Sequence, residues 1–191
     1  MADSLLTVGE VAARLKVSAV TWAVMLALAG CGGGGSASPE ETWASSVCAS
    51  ISTWKTDVDT ITSDAADALT KPGATVADIN TAIEQGVQAT ETLVSDLQAL
   101  VPPDTAEGAQ AKDDVDAFIA QAQATLDDVK TALHEIPAGA SLQKVVLQLA
   151  GLGTSLQRAI ATGQELVQSL EAIGGDLKQG FASADSCKDL R

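Results

Sequence analysis

The stretch from Trp43 to Leu69, WASSVCASISTWKTDVDTITSDAADAL, decides the fold class. Its apolar residues recur every three or four positions, which is the spacing of one face of an α-helix that packs against other helices. This face is formed by Trp43, Val47, Ile51, Trp54, Val58, Ile61, Ala65 and Ala68. The pattern predicts a first helix over about 40–69, and KPGA at 71–74 ends it because Pro and Gly interrupt helices.

Three further stretches repeat this spacing. One runs over about 75–100 with Thr75 as its N-cap, one over about 104–136 after Pro102 and Pro103, and one starts near 141 after the break PAGAS. We expect Gly174 and the glycine after it to interrupt the fourth stretch before the chain returns towards its last cysteine. Long amphipathic segments with short breaks predict an all-α protein, an elongated antiparallel up-down-up-down four-helix bundle.

The composition supports helices and restricts the partners. The 191 residues are 46% hydrophobic but only 3% aromatic, so the core must be built mainly from Ala, Val, Leu and Ile. The net charge is -14, from 11 basic and 25 acidic residues. Because phosphate binding depends on basic side chains, we expect no nucleic-acid partner, and an anionic membrane surface would repel this protein.

The N-terminal region reads as an export signal. Arg14 and Lys16 precede the uncharged run VSAVTWAVMLALAG at 17–30, and small residues follow the apolar core, as in secretory signal peptides. A run of roughly 14 residues is short for a membrane-spanning helix, which needs about 20. The alternatives are a conventional secreted protein and a buried helix.

The junction at the end of this run, Leu28-Ala29-Gly30-Cys31, resembles the lipobox of bacterial lipoproteins at all four positions. The resemblance implies that residues 1–30 are a signal peptide that is removed and that the thiol of Cys31 is acylated. The protein would then be held on the extracytoplasmic face of the cell membrane by a lipid anchor.

The start of the chain has a second interpretation. LLTVGEVAARLKVS at 5–18 resembles the opening of excisionase-like helix-turn-helix domains, but an apolar run follows where a basic recognition helix belongs. Translation from Val11 instead of Met1 would give VAARLKVSAVTWAVMLALAGC, a well-proportioned lipoprotein signal.

Three segments follow from these patterns. Residues 1–30 form the signal peptide, residues 31–39 the acylated cysteine with a Gly/Ser-rich tether, and residues 40–191 the helical domain. Eight flexible residues such as GGGGSASP reach roughly 15 Å. The Ala-rich, Lys-poor composition with this layout resembles small lipoproteins of high-GC Gram-positive (actinobacterial) bacteria, a resemblance that implies no activity.

The remaining cysteines, Cys48 and Cys187, form an even pair near the two ends of the helical domain. An exported protein meets an oxidising environment, in which such a pair predicts a disulfide bond. The alternative is two buried thiols.

Residues that carry catalysis or bind metals are scarce. His134 is the one histidine, and Thr131 stands where a Glu-x-x-His pair needs its glutamate, so we expect no metal and no cofactor. The acidic groups Asp113, Asp114 and Asp116, and Asp127 and Asp128, lack the spacing and glycine of a calcium loop. They are weak calcium candidates or, more simply, solvated helix faces.

Two features are candidates for ligand or partner contacts. Trp43 and Trp54 lie three helical turns apart on one face, where they fill the core or line a pocket. Gly151 and Gly153 interrupt an apolar helix, which indicates close packing of a neighbour or a bend beside a small cavity.

These observations favour a function without catalysis. We expect a non-enzymatic interaction or structural module that contacts an unknown envelope or extracellular protein through a helix face. The alternative is a carrier or sensor of a small apolar ligand held between helices, whose signature is a cavity beside one of the two candidate pairs. An enzyme is disfavoured because no acid–base or nucleophile arrangement is visible.

Overall fold

The computed structural model describes residues 37–136 and 141–190, and within the last long helix it leaves the side chains of residues 142 and 146–153 undescribed. Throughout the described part the secondary structure is helical, with no strand. Four long helices come first, α1 (Pro39–Thr70), α2 (Val76–Ala99), α3 (Ala106–His134) and α4 (Leu142–Ala172). A short helix, α5 (Gly175–Ser183), and a 3₁₀-helix, η1 (Asp185–Leu190), follow them.

A hydroxyl side chain caps the start of each long helix. The oxygens of Ser38, Thr75, Thr105 and Ser141 accept hydrogen bonds from backbone N–H groups in the first turns, which satisfies donors that a helix start leaves unpaired. At α2 the cap is reciprocal, because the carboxylate of Asp78 also accepts from the backbone N–H of Thr75. The predicted N-cap at Thr75 is therefore confirmed.

Consecutive long helices pack against each other along the chain, α1 on α2, α2 on α3 and α3 on α4. Helices α5 and η1 then turn back and pack on α1, and α4 contacts α1 much less than α5 does. The turn occurs at Gly174 and Gly175, whose φ angles of +99° and +58° lie in a region that favours glycine. The all-α class with several long antiparallel helices is confirmed.

The predicted disulfide bond is also confirmed, between Cys48 in α1 and Cys187 in η1. Both cysteines are fully buried, and 139 residues separate them along the chain. Beside the bond the hydroxyl of Ser186 donates to the carbonyl oxygen of Ser45 at 2.9 Å. The C-terminal segment is thus joined to the first helix by a covalent bond and a hydrogen bond.

Helix α5 approaches the start of α1 closely at Gly180. A Cβ atom at this position would lie 2.8 Å from the carbonyl carbon of Glu40, closer than side-chain carbons pack. Next to it the ring of Phe181 meets Trp43 edge to face, with centroids 5.9 Å apart. Glycine at 180 allows the backbones to meet, and the aromatic pair fills the space beside them.

Several sequence predictions fall outside the described residues: the signal peptide at 1–30, the lipobox Leu28-Ala29-Gly30-Cys31 and most of the tether. In the part of the chain that the structure describes, no helix is both long and apolar enough to cross a membrane.

Candidate functional site

A cavity of about 360 Å³ lies between the four long helices, next to the part of α1 that follows Cys48 of the disulfide bond. Its wall is almost entirely apolar. The largest share comes from α1 and α2, and the described lining residues are Trp54, Val58, Ile61, Thr62, Ala65, Ala66, Leu69, Ile79, Ala82, Ile83, Gly86, Val87, Thr90, Ala122, Thr125, Leu126, Val129, Leu156 and Ala159.

The cavity exists because small residues occupy inward positions. Ile79, Ile83, Gly86 and Thr90 follow the three-and-four spacing that places them on one face of α2. Gly86 contributes no side chain there, and a Cβ atom built on it would meet no atom within 4 Å. Alanines on α1, α3 and α4 line the same space, so the helices leave a partly open volume between them that their side chains do not fill.

Trp54 forms a fixed part of the wall. Its side chain is only 2% exposed, and its indole N–H donates to the hydroxyl oxygen of Thr90 at 3.0 Å. The Thr90 hydroxyl in turn donates to the carbonyl oxygen of Gly86 at 2.9 Å. The ring also packs edge to face on Phe118, with centroids 6.5 Å apart. Both polar groups are paired, so the indole presents apolar surface to the cavity.

Two other hydroxyl groups in the wall donate hydrogen bonds to backbone carbonyl oxygens of their own helices. Thr62 donates to the carbonyl oxygen of Val58 at 2.7 Å, and Thr125 donates to that of Gln121 at 3.0 Å. Each side-chain donor of the described lining therefore already has an acceptor. A ligand in this cavity would be bound by apolar contact, because little hydrogen-bonding capacity is left for it.

The outer surface around the cavity is acidic. The helix segments 54–69, 79–90, 122–129 and 156–159 carry seven acidic residues and two basic ones. Nearby, the ammonium group of Lys130 on α3 donates to the carboxylate of Glu91 on α2 at 2.8 Å, and this hydrogen bond raises the pKa of Lys130. The charges lie outside the cavity and give its surroundings a negative potential.

The structure separates the two tryptophans of the predicted contact site. Both are buried on α1, but only Trp54 lines the cavity. Trp43 packs on Phe181 near the disulfide and borders a separate, open depression beside Leu100 and Val101.

The glycine pair of the predicted contact site lies within α4, between Leu142 and Ala172. The surroundings of Gly151 and Gly153 fall outside the described residues. Cys31, the predicted lipidation site, also lies outside.

The residues considered for metal binding lie apart. His134 is exposed at the last position of α3, and Asp114 accepts a hydrogen bond from the hydroxyl of Ser169 at 2.9 Å. The four other aspartates of the two acidic groups are exposed. Within 37–136 and 141–190, no three His, Cys, Asp or Glu side chains are grouped to hold a metal ion.

The sequence analysis did not single out Gly86, which lines the cavity and leaves open space where a side chain would lie. The available signal was the inward face of α2, where Gly86 and Thr90 replace the larger residues of the preceding turns. Ala65 on α1 and Ala122 on α3 are likewise small residues at inward positions, and both line the cavity.

Comparison with protein families, with characterised proteins and with solved structures gives no match to this chain.

Proposed function

We propose that this protein is a non-enzymatic, extracytoplasmic lipoprotein that holds a small apolar ligand between its helices as a carrier or sensor. The cavity beside Trp54 is the observation that carries this proposal. Its volume lies within the range of about 300–1,000 Å³ that is usual for small-molecule sites. A core built only for stability would be packed more densely, since voids weaken the folded state.

The helix surfaces favour the carrier over the interaction module that the sequence suggested first. Among the described residues, Val101 is the one large hydrophobic side chain that is exposed. Outside the cavity, the described helix faces therefore give a protein partner little apolar surface to cover, whereas protein interfaces usually have an apolar centre. Binding to an envelope protein stays a prediction that a pull-down from intact cells would test.

Gly86 provides a sharp test of the carrier proposal. In Gly86→Leu the new side chain extends into the cavity, while Gly86→Ala adds only a Cβ atom in open space. Both changes improve helix propensity, by up to about 1 kcal/mol. We expect the full-length wild-type protein and Gly86→Ala to bind the neutral fluorescent probe N-phenyl-1-naphthylamine, and Gly86→Leu to lose binding although it stays folded.

Equal binding by the two variants would contradict a site at this cavity, and so would absence of binding by the wild type. Denaturation curves of all three proteins show whether a loss of binding reflects filling of the cavity or unfolding.

We further propose that Cys31 carries the lipid anchor and that the protein is exported. The Cys48–Cys187 disulfide supports export, because such bonds persist in oxidising compartments. Cells fed labelled palmitate should label the wild type but not Cys31→Ser. An unlabelled wild-type protein would exclude the anchor.

We also propose that residues 40–191 fold as an elongated up-down-up-down four-helix bundle, with α1–α4 as its four helices. The packing of each long helix on the next supports this arrangement, and helices of about 30 residues are about 45 Å long. Small-angle X-ray scattering should give a rod-like profile for the folded domain; a spherical profile would contradict the proposal.

A further inference from the structure

We propose that the cavity is a slot for one hydrocarbon chain and that it selects lipids with an uncharged polar end over anionic ones. This inference rests on the proposed function and specifies the class of ligand. Three observations support this inference. They are the length of the cavity lining, the side-chain donors of the wall that already have acceptors within the protein, and the acidic surface around the cavity.

The lining is long relative to its volume. On α1 it extends from Trp54 to Leu69, which is about 22 Å at 1.5 Å per helical residue. Because nonbonded carbon atoms approach to about 4 Å, one extended chain of that length, about 4 Å by 4 Å in section, occupies about 350 Å³. The cavity volume of about 360 Å³ accommodates such a chain. The slot thus has the length and the volume for one extended hydrocarbon chain.

The described lining residues leave no side-chain donor free to bind a carboxylate or phosphate group. The donors of Trp54, Thr62, Thr90 and Thr125 are all used within the protein. An anion placed there would lose its hydration without replacement, and buried charges without partners are strongly disfavoured.

The surroundings of the slot disfavour an anion as well. The wall segments carry seven acidic residues against Lys55 and Arg158, and Lys55 is already paired with Asp59 at 2.7 Å. A negatively charged head at the rim would meet like charge. A hydroxyl or ester head avoids this repulsion and stays in contact with water.

The test is displacement of N-phenyl-1-naphthylamine from the full-length protein by linear alcohols and by the carboxylates of matching length at pH 8. Each buried methylene group should strengthen binding of the alcohols about fourfold. This rise should stop by about 17 carbons, where a chain at about 1.25 Å per carbon reaches 22 Å. Each ionised carboxylate should bind at least about tenfold more weakly than its alcohol.

The outcomes separate this inference from the proposal on which it rests. Suppose that the probe binds the wild type and that Gly86→Leu abolishes this binding. If the affinity of the alcohols then does not depend on chain length, or if the carboxylates bind as well as the alcohols, the chain slot is wrong while the carrier proposal stands. If the wild type does not bind the probe, both are wrong.

A brominated alcohol locates the chain independently, because bromine quenches tryptophan fluorescence on contact. Trp54 lines the slot and Trp43 does not, which gives a matched pair. We expect 11-bromoundecanol to quench Trp22→Phe/Trp43→Phe, in which Trp54 is the one remaining tryptophan, and to quench Trp22→Phe/Trp54→Phe much less. The reverse result would place the chain outside the slot and overturn the inference.

Discussion

At the scale of single residues, Gly180 and Gly86 show two different uses of a missing side chain. A Cβ atom on Gly180 would lie 2.8 Å from the backbone of Glu40, whereas one on Gly86 would meet no atom within 4 Å. We therefore expect Gly180→Ala to push α5 away from α1 and to lower the free energy of unfolding by about 1–3 kcal/mol. Urea denaturation would measure this loss.

Gly86→Ala is the matched control for that experiment, because it makes the same chemical change inside a helix. Here the free energy of unfolding should rise by up to about 1 kcal/mol. If the two variants change the free energy of unfolding in the same direction, the close approach of α5 to α1 at Gly180 does not exclude a Cβ atom.

The hydrogen bond between Trp54 and Thr90 gives a second prediction at this scale. Thr90→Val keeps the shape but removes the acceptor, which leaves a buried indole N–H unpaired and should cost about 1–3 kcal/mol. Thr90→Ser keeps the hydroxyl and should cost less. Thermal unfolding of both variants checks the order, and a more stable valine variant would contradict it.

Among the helices, α2 has a start that depends on pH. The hydroxyl and the backbone N–H of Thr75 both donate to the carboxylate of Asp78 at 2.8 Å, and these bonds lower the pKa of Asp78. An unfolded aspartate titrates near 3.9, so this stabilisation is complete above about pH 5 and is lost as the pH falls through the lower, folded pKa.

Asp78→Asn should therefore be less stable than the wild type near neutral pH, and the difference should shrink as the pH is lowered towards 2. Urea midpoints of both proteins across this range measure the effect. A difference that is constant with pH would mean that the charge of Asp78 does not matter.

The sequence predicted the long helices well because their apolar spacing and caps are local signals. The first was predicted over about 40–69 and runs from Pro39 to Thr70, and the second was predicted over about 75–100 and runs from Val76 to Ala99. The pairing of Cys48 with Cys187 was also predictable, because they form an even pair near the two ends of the helical domain.

The packing of α5 and the cavity were less predictable, because they depend on contacts between distant residues. Gly180 looks like an ordinary helix interruption until Glu40, 140 positions earlier, is found against it. Trp54 and Trp43 have the same spacing pattern, and only the smaller neighbours of Trp54 on other helices give it a void to line. Periodicity places a residue on an inward face but does not show whether that face is filled.

At the scale of the folded unit, the disulfide closes a loop of 139 residues. In the chain-entropy model a loop of this size stabilises the native state by about 4–5 kcal/mol. The double variant Cys48→Ala/Cys187→Ala should therefore unfold at much lower urea concentration than the wild type. Reductant should shift the wild-type midpoint towards that of the variant and leave the variant unchanged; a wild type that is insensitive to reductant would contradict this expectation.

The position of the disulfide bond determines whether the fragments of a cleaved chain stay joined. All three connections between the long helices lie between residues 48 and 187, including the one with Val101, which is 84% exposed. A single cut there yields two pieces that migrate as one band on a gel without reductant and as two bands with it. Each piece supplies walls of the cavity, so a nicked molecule keeps its parts together. Proteolytic cleavage at any of these connections would then leave the chain cut but still assembled.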